Sequence, residues 1–393
     1  MGIPLNVGIV GVGKISEQYL ANFPTFPGLR LVAAADLNQE RARQVAEEFG
    51  VRVLTVDELL TDPEVDAVLN LTIPAAHVEI STRALRSGKH VFTEKPLGLT
   101  PAEARPMVEL AEELGLRLGS APETVLGTGI QTARQTLDSG LIGEPIAAQV
   151  QWTAPGHERW HPAPEFYYQP GGGPLLDMGP YYLSALVHFF GSVTRVTGIA
   201  TRSARVRTIE SGPRAGTPLP VSVDTHVSAL LEHANGVTST VTVSFEVWKS
   251  RAPKFEVYGT EGTVTVPDPN MFSDVVEAAV RDQDWKRIPD TAGYIDTGRG
   301  AGLADMAEAI TENRPHRASG RLALHVLEIM DAILRSSQEK AVITIDSTAD
   351  RPEIVPLRTT TEAGPTAHAV PALLPVEGFA TPEDGAANQR RML

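Results

Sequence analysis

Within its first twenty residues the chain reads Val7-Gly8-Ile9-Val10-Gly11-Val12-Gly13-Lys14-Ile15-Ser16, and this run limits the fold more than any other. Val7 to Val10 is a short apolar stretch of the kind a strand buried on both faces requires. Gly11 and Gly13 follow at once, and Lys14 to Leu20 suits the start of a helix. Strand, glycine turn and helix in that order are the context in which a dinucleotide fingerprint works. Gly11 permits the tight turn, and Gly13 lets backbone approach a pyrophosphate resting on the free N–H groups of the helix N-terminus. Ser16 stands where a third glycine is usual and is small enough for close helix–strand packing. Lys14 and Ile15, which close the turn, are assigned to the same cofactor surface.

A second signal arrives at the expected distance. Leu31 to Ala35 is another buried-strand run, and it ends in Asp36, 23 residues after Gly13. A carboxylate there accepts hydrogen bonds from the adenosine ribose and repels a 2′-phosphate, so NAD is expected, with NADP the lesser alternative.

From Gln39 to Ser120 charged amphipathic stretches alternate with short apolar runs at 51–54, 66–71, 89–93 and 116–120. Gly50 reads as a helix stop, and Thr100-Pro101 as a cap with proline at the first helical position. Such alternation implies a doubly wound parallel sheet. Near Pro122 the rhythm changes. After a helix around Gly129 to Ser139, period-two strands dominate, at 146–152, 193–202, 223–233, 237–247, 255–258 and 262–266, with Asn235-Gly236 as a hairpin turn. Amphipathic helices follow at 303–313 and 320–336. The expected fold is therefore α/β, an N-terminal Rossmann domain (1–123) followed by an α+β domain on an open, mainly antiparallel sheet (124–357). A Pro-, Ala- and Thr-rich tail (358–393) completes it.

The formal net charge of -14 argues against nucleic acid or an anionic membrane as partner. No apolar run reaches the length of a membrane span, no signal peptide is read, and the absence of cysteine fits a cytoplasmic protein. Asn70-Leu71-Thr72 spells a glycosylation sequon, discounted because it ends an expected strand.

Two stretches could carry chemistry. Glu94-Lys95-Pro96 ends the fifth expected strand, at the carboxyl edge where open α/β sheets bind ligands. An ammonium there can hydrogen-bond a substrate hydroxyl and steady the alkoxide formed as hydride leaves. On the tripeptide alone, a solvated lysine in a turn is the plainer reading. Gly171 to Gly191 reads as a glycine-rich approach followed by a helix on which Asp177, Tyr181 and Ser184 fall on one face. Pro180 requires that helix to begin near Leu176 or to kink. By themselves Tyr181 could be a packing residue and Asp177 a partner of the helix dipole.

Together, GIVGVGKIS, the strand-ending Asp36, EKP at 94–96 and GGGxxxDxGxxY at 171–181 resemble the glucose–fructose oxidoreductase, inositol dehydrogenase and rhizopine-catabolism (Gfo/Idh/MocA) family over roughly residues 4 to 345. The resemblance implies NAD(P)-dependent hydride transfer at a carbinol of a sugar, cyclitol or related polyol. It also implies a homo-oligomer, dimer or tetramer, built through the C-terminal sheet. It puts the family lysine on Lys95 and the helix carboxylate on Asp177. Tyr181 falls where many members have histidine and the glucose–fructose oxidoreductase and dihydrodiol dehydrogenase branches have tyrosine. Ser184 departs from the usual aspartate or asparagine. Tyr181 would accept the hydroxyl proton, its ionised form favoured by neighbouring Lys95, while Asp177 orients the hydroxyl and keeps Lys95 charged. Thr72, Pro74 and His77, at the end of the fourth strand, and Glu94 are placed against the cofactor. Two alternatives remain: an NAD-dependent glycoside-cleaving enzyme, and a non-catalytic NAD-binding sensor of the same fold.

His157-Glu158-Arg159-Trp160-His161 spells HExxH, the zinc-protease signature, but prolines on both sides leave too few residues for the helix that signature needs. No metal is expected. The stretch reads instead as a loop at the cleft mouth, where His157, Trp160, His161 or Tyr168 could stack on or bond a polyol. A surface loop packed on its own aromatics fits the residues as well. Other histidines, such as His226 and His316, receive no role.

Overall fold

The computed structural model describes residues 3–360. The alternating half forms six strands, β1 (Leu5–Val10), β2 (Leu29–Ala35), β3 (Arg52–Val53), β4 (Ala67–Asn70), β5 (His90–Thr93) and β6 (Leu118–Ser120). Neighbours pair in parallel in the order β3-β2-β1-β4-β5-β6. Every residue of β4 and β6 is buried, and successive side chains point to opposite faces, so both faces of the sheet are covered there. The chain leaves β1 toward β2 and β3, then returns to build β4, β5 and β6 on the other side. The carboxyl ends of β1 and β4 therefore border the crevice where such sheets bind ligands.

The helices of this half are α1 (Ser16–Asn22), α2 (Gln39–Phe49), α3 (Val56–Thr61), α4 (His77–Arg86) and α5 (Pro101–Glu113). Their ends follow local chemistry. Asn38 accepts from the N–H groups of Glu40 and Arg41 to start α2, and Gly50, at φ 65°, ends it in the left-handed region. Thr55 with Glu58, and Thr100 with Glu103, form reciprocal capping boxes at α3 and α5. Asn70 of the sequon is buried in β4, its amide donating to His77 O at 3.1 Å and Ser81 Oγ at 3.0 Å, so in the folded chain it offers no accessible acceptor.

The second half builds one nine-stranded sheet. In spatial order its strands are Lys286–Ile288, Val276–Val280, Gly262–Thr265, Phe255–Gly259, Pro145–Thr153, Thr238–Ser244, His226–His233, Val193–Thr201 and Ile343–Thr344. All neighbours are antiparallel except Pro145–Thr153 with Thr238–Ser244. Asn235-Gly236 makes the expected hairpin, with Gly236 at φ 89°. The strands alternate buried with open positions. The buried face packs on α6 (Thr128–Asp138), α7 (Pro174–Phe190) and α9 (Gly320–Glu339), while α8 (Ala301–Glu312) leans toward β6. At Gly198 a Cβ would sit 2.4 Å from Ile333 O, so glycine is what lets α9 lie this close to the sheet.

The sequence pattern overlooked the five-residue strand Val276–Val280, as well as the shorter Ile343–Thr344, Lys286–Ile288 and the pair Val206–Thr208 with Pro218–Pro220. Two or three residues carry no measurable period. Arg358 and Thr359, the start of the expected tail, pair with Tyr294 and Ile295. Just before them a closing segment is tied down: Arg351 to Asp138 at 2.5 Å, Val355 N to Gln131 Oε1 at 2.9 Å, and Arg317 Nε to Glu353 O at 2.8 Å. The rest of that tail, 361–393, lies outside the described residues. No described helix is long and apolar enough to cross a membrane.

Candidate active site

A cleft of about 950 Å³ opens where the carboxyl ends of β4 and β5 meet the start of α7. Lys95 enters it from the turn after β5. Asp177 comes from the first turn of α7, which Gly173 (φ 92°) and Pro174 begin. The Lys95 ammonium donates to Asp177 Oδ1 at 3.0 Å and to the Asp177 carbonyl at 2.7 Å. The other carboxylate oxygen, Oδ2, lies 2.9 Å from His157 Nε2. The helix thus starts two residues before Leu176, leaving Pro180 as its seventh residue. Pro180 has no N–H to give to the Leu176 carbonyl, and the next carbonyl, that of Asp177, is the one Lys95 engages.

Burial alone would neutralise both partners, but each outweighs the penalty for the other. Desolvation pulls the Lys95 ammonium down, and the Asp177 carboxylate drives it above its ordinary value instead. Desolvation likewise pushes the Asp177 carboxyl up, yet Lys95 and the His157 hydrogen bond bring it to about 2. Both side chains are 17% exposed, so the pair is poorly screened. Asp177→Asn should therefore destabilise the fold by about 3–5 kcal/mol near neutral pH, because it strands a buried ammonium. The folded carboxyl titrates below its ordinary 3.8, so this contribution is whole above about pH 4 and fades as pH falls toward 2. Urea unfolding across that range should show the wild-type and variant midpoints converging.

Tyr181, one turn after Asp177, also faces the cleft, whereas Ser184 is buried and does not line it. Here the structure adds a second cation beside the tyrosine. Lys95 Nζ sits 5.2 Å from the centre of the Tyr181 ring, beneath its face, and the cation at the hydroxyl is Arg299, whose Nη2 donates to it at 3.0 Å. A guanidinium cannot accept a hydrogen bond, so the phenol's own proton must point elsewhere. Arg299 is backed by the fully buried Glu123: Gly300 N donates to Oε1 at 3.0 Å, and Oε2 lies 3.7 Å from Arg299 Nη1. Burial pushes the Glu123 carboxyl up.

The HExxH stretch forms only a 3-10 turn, His157–Arg159. His157 is buried against Asp177 and Trp160 lines the cleft. The other two loop candidates do not line it. His161 Nδ1 accepts from Ala163 N at 3.1 Å. Tyr168 is wholly buried in a separate small core with Ile209, Leu219, Val221 and Phe245, its hydroxyl donating to Glu158. Glu158 is in turn held by Arg207 at 2.7 Å. Of the two tyrosines of this loop, Tyr167 is the one that lines the cleft. Adjacent residues of an irregular loop point in opposite directions, and no sequence period tells which points in.

On the other side of the cleft lies the glycine turn. Gly11 (φ 92°) packs so tightly that a Cβ would lie 2.7 Å from the Leu71 carbonyl, whereas Gly13 has nothing within 4 Å of that position, leaving its backbone open. Asp36 Oδ2 accepts from Val12 N at 2.8 Å and Oδ1 from Asn38 N at 2.6 Å, which aims the carboxylate at the turn. Lys14 pairs with Glu17 at the surface, and Ile15, Thr72, Pro74, His77 and Glu94 border the cleft. His77 joins two turns, its ring nitrogens 2.7 Å from Pro96 O and 3.0 Å from Thr72 O. Glu94 accepts from Tyr19 OH at 2.9 Å and from Lys95 N at 2.8 Å. Leu37 and Ile73, just past β2 and β4, are 96% and 70% exposed. Large apolar side chains this open on either side of β1 suit a flat ring laid over them. The open Gly13 backbone, the Asp36 carboxylate and these two side chains together fit a dinucleotide.

Sequence reasoning missed Arg299, Glu123 and Tyr167. Gly298-Arg299-Gly300 is a glycine-flanked arginine that could have drawn notice, but nothing in its spacing ties it to Tyr181. A smaller cavity, 340 Å³ between α5 and the start of α9, is lined by arginines already engaged, among them Arg317 with Asp305, Arg321 with Glu112 and Arg351 with Asp138.

The chain matches two family profiles, "Oxidoreductase family, NAD-binding Rossmann fold" over residues 5–121 and "GFO/IDH/MocA C-terminal domain" over residues 130–265. It is 34% identical over 238 residues to dTDP-3,4-didehydro-2,6-dideoxy-alpha-D-glucose 3-reductase of Streptomyces violaceoruber, covering 58% of this chain and 68% of that protein. It is 26% identical over 266 residues to myo-inositol 2-dehydrogenase of Thermotoga maritima, covering 66% and 74%. Among solved structures, levoglucosan dehydrogenase in complex with NADH and L-sorbose shares the fold at a TM-score of 0.75 and 20% identity, over 88% of this chain and 100% of that one.

Proposed function

The chain is an NAD-binding oxidoreductase of the Gfo/Idh/MocA family, and from that premise we propose that it oxidises or reduces a carbinol carbon of a sugar, cyclitol or related polyol in the cleft beside Lys95 and Tyr181. The observation that carries this reading is the convergence of the Lys95–Asp177–His157 chain and the Tyr181–Arg299 pair on one wall of a cleft that also reaches Ile15 beside the glycine turn. Bound NAD supplies the hydride acceptor. With coenzyme bound, the substrate C–H pair would leave to it as the C=O bond forms, and Tyr181, acting as the phenolate, would take the hydroxyl proton. Lys95, kept charged by Asp177, hydrogen-bonds the oxygen on which charge develops. His157 fixes the second carboxylate oxygen, so that Asp177 cannot turn away from Lys95. In the reducing direction the same groups return the proton. Gly11, Gly13, Lys14, Ile15 and Asp36 hold the coenzyme from one side, and Thr72, Pro74, His77 and Glu94 from the other.

The same reading divides the chain into a coenzyme unit (1–123), a substrate unit (124–357) and a tail, and gives it a cytoplasmic location. It also carries a homo-oligomer through the open face of the nine-stranded sheet, where Ile199 and Leu230 are 66% and 59% exposed amid Ser228, Thr240 and Thr242.

Absorbance in the reduced-nicotinamide band, followed over a panel of hexoses, cyclitols and glycosides with NAD and with NADP, tests the reaction. Net coenzyme reduction with at least one member, faster with NAD, is expected. Coenzyme binding without turnover of any member would remove the chemistry and leave a sensor. Glycoside cleavage without net reduction would favour the elimination chemistry instead.

A further inference from the structure

The cleft has only two fixed cations among its described lining residues, Lys95 and Arg299, and both are engaged. Lys95 is bonded twice to Asp177. Arg299 gives Nη2 to the Tyr181 hydroxyl, and its Nη1, 3.7 Å from Glu123 Oε2, has no hydrogen-bond partner but is buried away from the cleft. Two carboxylates, Glu94 and Asp177, share the same wall, with Glu123 behind it. A phosphate or carboxylate is normally gripped by the free edge of a guanidinium or by an unpaired ammonium, through charge-assisted bonds. Here the ammonium is paired, and the unbonded guanidinium nitrogen, Arg299 Nη1, is buried beside Glu123 rather than open to the cleft. The chain's formal charge of -14 adds a field that repels anions at longer range.

The outer wall has the opposite character. Trp160 and Phe166 line the mouth with 59% and 55% of their surface open. They are nevertheless held in place. The His161 ring lies between them, 5.3 Å from Trp160 and 5.4 Å from Phe166, Phe166 stacks on Tyr167 at 4.0 Å, and the Trp160 indole donates to His157 Nδ1 at 3.2 Å. A rigid aromatic shelf offers apolar area at little entropic cost. It lies on the far side of His157 from Lys95, the indole bonding one ring nitrogen and Asp177 the other. The cleft volume of about 950 Å³ is near the upper end of what drug-sized ligands occupy, about 300–1,000 Å³.

Building on the proposed sugar or polyol chemistry, we infer that the substrate is an uncharged glycoside of at least two rings. The reacting sugar lies at Lys95 and Tyr181, and the second ring, whether a sugar or an aromatic aglycone, lies across Trp160 and Phe166. Sugar phosphates, uronates and nucleotide-diphosphate sugars are excluded, because their charge would be buried against Glu94 and Asp177 without a free cation.

The test is calorimetric binding to the NADH-loaded protein, run beside the turnover assay. The probes are glucose, phenyl glucoside, cellobiose, glucose 6-phosphate, glucuronate and UDP-glucose, with galacto- and manno-configured counterparts. In at least one configuration, phenyl glucoside or the disaccharide should bind about 3- to 10-fold more tightly than the free hexose, the worth of one good aromatic contact. The three anionic classes should bind at least about 100-fold more weakly, as a buried unpaired charge requires. Trp160→Ala, and separately Phe166→Ala, should bring the ratio of two-ring to one-ring affinity close to unity. A preference for phenyl glucoside over the disaccharide identifies an aglycone site, and the reverse a second sugar site. Tighter binding of any anionic probe, or no advantage for the second ring in any configuration, would overturn the inference. Selective binding of a neutral two-ring probe without turnover would preserve it while removing the proposed reaction.

Discussion

Tyr181→Phe should lower kcat by about 100- to 10,000-fold, the range for losing a positioned proton acceptor. The substitution keeps the ring over Lys95 and deletes only the oxygen that Arg299 contacts. Coenzyme binding should be unchanged, so a wild-type rate in the variant would dismiss the tyrosine as the proton-transfer group. Arg299 supplies a companion test. Its Nη2 holds the Tyr181 hydroxyl at 3.0 Å, so Arg299→Met should lower kcat by about 10- to 100-fold with coenzyme affinity unchanged. Arg299→Lys should restore part of the rate. Wild-type turnover in Arg299→Met would remove the arginine from the proton-transfer site.

Lys95→Met should lower kcat by about 100- to 1,000-fold, comparable with removing one preorganised donor from a developing oxyanion. It should also cost stability, about 3–5 kcal/mol, because the buried Asp177 carboxylate loses its counter-charge. The two effects separate by measurement. Steady-state rates report the first, and urea midpoints the second. The double variant Lys95→Met/Asp177→Asn should recover most of the lost stability and none of the lost rate. Recovery of the rate would mean that the pair serves the fold alone.

The coenzyme half was legible because its rules are local. A strand, two glycines and a carboxylate at fixed separation dictate the Gly11 turn and the Asp36 position, and α3 and α5 begin at capping boxes written within four residues. Lys95 and Asp177 were found because each lies in a dense local motif, though nothing short of the fold could show that they touch across 82 positions of sequence. Arg299 and Glu123 were out of reach for the same reason. They are 176 residues apart and each stands alone. Tyr168 was preferred to Tyr167 because an aromatic-rich loop has no period from which to choose. Lys95 was expected beside Tyr181 and does lie 5.2 Å from its ring, whereas the contact of Arg299 with the hydroxyl could not be read from spacing.

Arg299 sits four residues after Ile295, in a loop that the short pairing of Tyr294–Ile295 with Arg358–Thr359 closes off. That pairing joins the Arg299 loop to a strand that lies much later in the chain. Domains generally form from the N-terminus as the polypeptide emerges, so the glycine turn, Lys95 and Asp177 can all be in position while the ribosome is still translating that strand. A chain ending before Arg358 would carry the coenzyme cradle without the strand that pairs beside the Arg299 loop.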